Sequence, residues 1–120
     1  MKIRNVTIAG GGVLGSQVAW QTAYKGFNVT VYDAFDEGIK NCKNHHNRYA
    51  KLFLSSKGVS EAEIEKTFSR LTYTTNLKEA VQDADLISES VPENLDVKKS
   101  FYKELARWAP ENSIFTTNSS

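Results

Sequence analysis

The chain has 120 residues, one domain's worth, with 40% hydrophobic, 24% charged and 11% aromatic side chains. Seven glycines and two prolines exclude a collagen or a disordered linker, and the single cysteine, Cys42, excludes a disulfide framework or a multi-cysteine zinc site. A net charge of +1 gives no reason to expect a nucleic-acid partner.

The predicted elements alternate. A β-rich run at residues 3–9 meets the glycines at 10–12, and a helix follows over 13–25, with Leu14, Val18 and Thr22 stacked four apart. A second strand is predicted over 28–33. Ile39, Cys42, His46, Tyr49 and Phe53 then recur at three and four, the period of a helix face. Ser60 and Glu63 form a capping box that starts another helix reaching Ser69. The segment between Asp33 and Leu71 is too long for one crossover helix, so two helices joined near Lys57 and Gly58 are expected, a hairpin projecting from the sheet. A third strand over 71–75 and a short helix capped by Asn76 come next. The fourth strand, 85–91, is stopped by Pro92. Val97, Phe101, Leu105 and Trp108 mark the last helix, and a fifth strand covers 113–117.

Strand and helix in alternation predict an α/β fold, a doubly wound parallel sheet with the helical hairpin after the second strand. Parallel strands are covered on both faces and rich in β-branched residues, as at Val6 to Ile8 and Val29 to Val31. Residues 1–120 form a single predicted domain. No apolar run reaches the roughly 20 residues of a membrane span. The N-terminus enters a strand without a signal-like apolar core, so a cytoplasmic location and no membrane partner are expected.

The first strand runs into Gly10-Gly11-Gly12-Val13-Leu14-Gly15, a G-x-G-x-x-G between strand and helix. Gly10 permits the tight turn, Gly12 lets a pyrophosphate approach the backbone, and Gly15 brings the helix close to the strand. The helix N-terminus then offers free N–H groups to phosphate. Asp33 ends the second strand, where a dinucleotide fold places the acid that holds the adenosine ribose. Ala34 and Phe35 follow, so no neighbouring arginine receives a 2′-phosphate, and NAD is expected rather than NADP. A methyltransferase or an NAD-sensing regulatory domain could use the same turn, and the fold alone does not choose.

Residues 38–60 hold five bases, Lys40, Lys43, Arg48, Lys51 and Lys57, and no acid. Such a run is either a solvated helix face or a surface for an anionic partner. His45 and His46 sit in the middle of that helix and fall short of the three or four ligands zinc usually takes. No metal is expected, and Cys42 belongs to the apolar stripe.

The second half reads DADLISESVPENLDVKKSFYKEL and closes on SIFTTNSS. With the glycine turn and Asp33, these stretches resemble the NAD-binding domain of the 3-hydroxyacyl-CoA dehydrogenase family over essentially the whole chain. The TNSS ending and GVLGSQVA at the first helix look closest to the branch that includes diketoreductases. The resemblance implies oxidation of an (S)-3-hydroxyacyl-CoA to the 3-keto thioester with NAD. Gly10, Gly12, Val13, Leu14 and Gly15 would hold the pyrophosphate and Asp33 the ribose. Glu93 and Lys98 match the family's NAD-contacting acid and lysine, and Asn118 would lie near the nicotinamide. Ser120 matches the serine that hydrogen-bonds the reacting oxygen, the one catalytic group expected here.

The resemblance also gives the hairpin a role in binding CoA. The family's CoA-contacting serine and lysine, however, fall near Tyr49 and Ser56. This departure leaves room for a smaller hydroxy or keto substrate. The family's catalytic histidine, its orienting glutamate and the helical domain that forms the homodimer are expected downstream of these residues. The isolated chain is therefore expected to be the inactive, cofactor-binding half of a longer enzyme.

Overall fold

A computed structural model describes residues 2–90 and 95–117. The elements are β1 (Asn5–Ala9), α1 (Val13–Tyr24), β2 (Asn28–Tyr32), α2 (Asp36–Ser56) and α3 (Glu61–Ser69). They continue with β3 (Leu71–Thr74), α4 (Leu77–Val81), β4 (Leu86–Glu89), α5 (Leu95–Trp108) and β5 (Ile114–Thr117). The strands form one sheet in the order β3-β2-β1-β4-β5, with every neighbouring pair parallel. The predicted doubly wound architecture is present, with strand ends shorter than expected by one or two residues.

Side-chain alternation divides the sheet between two cores. Val6, Ile8, Val29, Val31 and Leu71 pack against α1, α2 and α3. Ala9 and Ile87 face the other way, with Ala80 and Val81 of α4 and Phe101 and Leu105 of α5. The helices that follow β1 and β2 therefore cover one face, and those that follow β3 and β4 cover the other. Strand order reverses between β1 and β4, which opens a crevice at their C-terminal ends. At the opposite end, the Asp85 carboxylate accepts the backbone N–H of Arg4 and of Asn5, each at 2.9 Å, and ties β4 to β1.

The buried face of α1 is not the predicted Leu14, Val18 and Thr22 stripe. Gly15, Ser16, Ala19, Trp20 and Ala23 are buried, and Leu14 is exposed. The reason is the turn before the helix. A Cβ on Gly15 would lie 1.9 Å from the Gly10 carbonyl oxygen, so only glycine allows this approach, and it sets the helix's rotation. Trp20 then centres the core among the rings of His46, Tyr49, Phe53 and Phe68, at centroid distances of 5.2 to 6.4 Å.

The hairpin after β2 is formed by α2 and α3. Cys42, His46, Ala50 and Phe53 of α2 are buried beneath it, one helical turn after another. Gly58, at φ 63°, reverses the chain, and the Ser60 hydroxyl accepts the Glu63 N–H to start α3. Among the described residues no helix is long and apolar enough to cross a membrane.

Candidate functional site

The site begins where β1 ends. Gly10 takes φ 116°, which a side chain would resist, and turns the chain from the sheet edge into α1. Its N–H continues the sheet by donating to Tyr32 O at 2.7 Å. The first α1 hydrogen bond runs from Ser16 N to Gly12 O, so the amides before Ser16 are left without helical acceptors. Gly12 is the N-cap and supplies no side-chain cap, and the first turn of α1 carries no acid. The first turns of α2, α3, α4 and α5 each contain Asp or Glu. The positive end of α1 is thus left for an outside anion. A Cβ built on Gly12 meets nothing within 4 Å, so the glycine faces open space.

Asp33 performs two tasks at the end of β2. Its Oδ2 accepts the Gly11 N–H at 2.9 Å and its Oδ1 the Phe35 N–H at 3.0 Å. The carboxylate therefore fixes the glycine turn to the start of α2. Each oxygen keeps lone-pair capacity for a ribose hydroxyl.

A cleft of about 580 Å³ spans these groups. One side is Gly10 to Val13 with Asp33 and Ser90, at the β1–β4 crevice. The other is a face of α2: Gly38, Asn41, Asn44, His45 and Arg48. Sequence reading missed this wall. Asn41 and Asn44 carry no sequence signal beyond their helical spacing with Arg48, and Arg48 reads only as part of the basic run, a solvated face or a surface for an anionic partner. Arg48 Nη2 donates to His45 Nδ1. An arginine does reach the cleft, but from α2 rather than from beside Asp33.

The other bases of the island are spread over different faces. Lys57 lies over the Phe53 ring at 4.4 Å and Lys43 over Tyr73 at 5.2 Å. Lys40 and Lys43 line a separate groove on α2.

His46 lies beneath the cleft and is fully buried. Its Nε2 is 2.9 Å from Ser16 O, and its Nδ1 is 2.6 Å from the Tyr73 hydroxyl. A carbonyl only accepts, so Nε2 carries the proton and Nδ1 accepts from Tyr73. Burial pushes its pKa below the ordinary 6.5, against the Ser16 hydrogen bond that raises it. Burial likewise pushes the neighbouring Cys42 thiol up. His45 and His46 are thus a cleft-wall residue and a core residue. Among the described residues no cluster of His, Cys, Asp and Glu could hold a metal ion.

Of the expected pyrophosphate group, Gly10, Gly12 and Val13 line the cleft, and Gly15 packs behind them. Leu14 does not line it and is exposed. Lys98, in the first turn of α5, is 3.8 Å from the Glu89 carboxylate. The anion that attends this base is therefore a protein group. Glu93, Asn118 and Ser120 lie outside the described residues.

Residues 5–120 match the sequence profile of the family described as 3-hydroxyacyl-CoA dehydrogenase, NAD binding domain. A probable 3-hydroxyacyl-CoA dehydrogenase of Caenorhabditis elegans is 34% identical, over 99% of this chain and 40% of its own length. A solved diketoreductase structure is 41% identical with a TM-score of 0.91, covering 100% of this chain and 43% of that one. The crystal structure of 3-hydroxybutyryl-CoA dehydrogenase from Escherichia coli is 28% identical with a TM-score of 0.90, covering 100% of this chain and 25% of that one. The chain spans about 40% of the length of two probable 3-hydroxyacyl-CoA dehydrogenases of Caenorhabditis elegans that it matches. With the parallel sheet, the glycine turn and Asp33 at its expected place, this chain belongs to the 3-hydroxyacyl-CoA dehydrogenase family, as its NAD-binding domain.

Proposed function

We propose that this chain binds NAD in the cleft between α1 and α2 and serves as the cofactor half of an enzyme oxidising (S)-3-hydroxyacyl-CoA to 3-ketoacyl-CoA. The observation that carries the reading is the acid-free, uncapped start of α1, facing open space at Gly12 with Asp33 in the same cleft. The α1 amides and Gly10, Gly12 and Val13 hold the pyrophosphate, and Asp33 takes the adenosine ribose. By their place in the family pattern, Lys98 and Glu93 contact NAD and Asn118 serves the nicotinamide. Ser120 donates a hydrogen bond to the substrate's reacting oxygen. Bound NAD supplies the hydride acceptor.

Calorimetry with the 120-residue chain tests the cofactor assignment. NAD binds and NADP does not, because the Asp33 carboxylate repels a 2′-phosphate. Equal binding of the two would overturn it.

A second reading, reduction of a CoA-free keto substrate, draws support from the 41% identity to the diketoreductase and from Tyr49 and Ser56 on α2. CoA titrated at low salt separates the readings. Shifted amides over residues 38–60 favour the acyl-CoA substrate, and unshifted ones the smaller substrate.

A further inference from the structure

Glu89 ends β4 at the ligand edge of the sheet and is fully buried. A buried carboxylate is costly unless other groups compensate it. Three elements supply them. The Thr117 hydroxyl of β5 donates to Oε2 at 2.5 Å. From α5, the Tyr102 hydroxyl lies 3.4 Å from Oε1 and the Lys98 ammonium 3.8 Å from the same oxygen. Thr117 immediately precedes Asn118 in the chain. Glu89 pairs in register with Ala9, the last residue of β1 before the glycine turn. One carboxylate thus joins the strand beside the turn, the lysine of α5 and the end of β5.

We infer that Glu89 is a positioning residue for the cofactor: through its buried carboxylate it holds Lys98 and the end of β5 in the arrangement that receives NAD. The inference rests on NAD binding by this chain with Lys98 among the contacts. A base in the first turn of a helix opposes the helix dipole. Lys98 keeps that place because Glu89 is beside it, and the same pairing restricts where its ammonium points. The side chain is 20% exposed, so it stays within reach of a ligand at the sheet edge.

Glu89→Gln is the discriminating variant. It keeps the shape and an acceptor for Thr117, removes the charge and puts an amide NH2 in place of the oxygen that faces Lys98. The wild-type chain, Glu89→Gln, Lys98→Met and the double variant are titrated with NAD by calorimetry, with thermal melts alongside. Glu89→Gln is expected to weaken NAD binding roughly five- to twentyfold, inside the wider range seen for coupled residues in contact. In the Lys98→Met background the same change should have little effect. A purely structural carboxylate would change the melt and give additive losses. Simple charge removal would tighten binding of the anionic cofactor. Additive losses, tighter binding or an unweakened Lys98→Met each overturn the inference. Failure of the wild-type chain to bind NAD overturns the proposed function instead.

A measurement on the unaltered chain covers the case in which Glu89→Gln fails to fold. In nitrogen-labelled protein, the held Lys98 ammonium should exchange its protons with water more slowly than the exposed lysines. Exchange at the same rate overturns the inference.

Discussion

Gly38, in the first turn of α2, lies directly against the carboxylate of Asp33. A Cβ at position 38 would sit 2.2 to 2.4 Å from the Asp33 carboxyl atoms. The Gly38 carbonyl in turn lies against the glycine turn, 2.7 Å from where a Gly11 Cβ would lie. Glycine turn, Asp33 and α2 are therefore one packed unit, and the carboxylate's position depends on a missing side chain in another element.

Gly38→Ala should move the Asp33 carboxylate and break its bond from the Gly11 N–H. The helix itself gains from alanine, so stability should fall by no more than about 1–3 kcal/mol, the usual range for overpacking. NAD affinity should fall on the order of tenfold, as expected when a hydrogen bond to a charged group is lost. Calorimetry with a denaturant melt checks both, and unchanged affinity would show that Asp33 has room to adjust.

Asp33→Ala removes acceptors from Gly11 and Phe35 as well as from the ribose. It should lose on the order of 1.5–3 kcal/mol of NAD binding, the worth of a charge-assisted hydrogen bond. The gap between NAD and NADP should also narrow, since the repelling charge is gone. An affinity ratio left at its wild-type value would place the discrimination elsewhere.

The sheet was legible because Val6 to Ile8 and Val29 to Val31 carry the β-branched signature of strands covered on both faces. The turn was legible because Gly10, Gly12, Gly15 and Asp33 keep a fixed spacing. The face of α1 was not, since Gly15's approach to the Gly10 carbonyl sets its rotation and no periodicity reports that. Nor was Gly38, which in isolation is only a poor helix former. Arg48 becomes a cleft residue only because the opposite side of α2 docks on α1 through Cys42 and His46. Glu89 carried no signal of its own within the predicted fourth strand, because its partners Thr117, Tyr102 and Lys98 come from β5 and α5.

Arg48→Ala should weaken NAD binding only two- to threefold, because its guanidinium is exposed and such charges contribute about 0–1 kcal/mol. The loss should shrink further as salt screens the charge over roughly 8 Å at physiological strength. Calorimetry at two ionic strengths checks this. A loss that persists at high salt would indicate a desolvated contact to the phosphates instead.

The 120-residue chain should bind NAD without forming measurable NADH from 3-hydroxybutyryl-CoA. Oxidising the alcohol requires a base for the hydroxyl proton, worth about 10²–10⁴-fold. His46 has both ring nitrogens engaged in the core, and His45 Nδ1 is held by Arg48. A serine hydroxyl such as that of Ser120 is too weak a base without a partner. NADH absorbance is the readout, and turnover by this chain would place the base within these residues.

His46 should give the fold a characteristic acid sensitivity. In the folded chain its neutral form is favoured, since burial pushes the pKa below the ordinary 6.5. Tyr73 from β3, the Ser16 carbonyl from α1 and the Cys42 thiol from its own helix surround it, and His45 adds a repulsive charge when protonated. Protonation of Nδ1 would replace the acceptor of the Tyr73 hydroxyl with a second donor. Below pH 6.5 the unfolded chain binds the proton that the folded chain resists. Stability is therefore fully present above that pH and declines as the pH falls towards the lower folded-state value. Urea midpoints should be flat from pH 7 to 8 and drop as the pH falls below about 6.5, the ordinary histidine value. His46→Gln should reduce stability by about 1–3 kcal/mol at neutral pH, the cost of disturbing a buried hydrogen-bonded pair. It should also remove the acid-side slope. A slope unchanged in His46→Gln would assign the acid sensitivity to another group and leave His46 with a packing role alone.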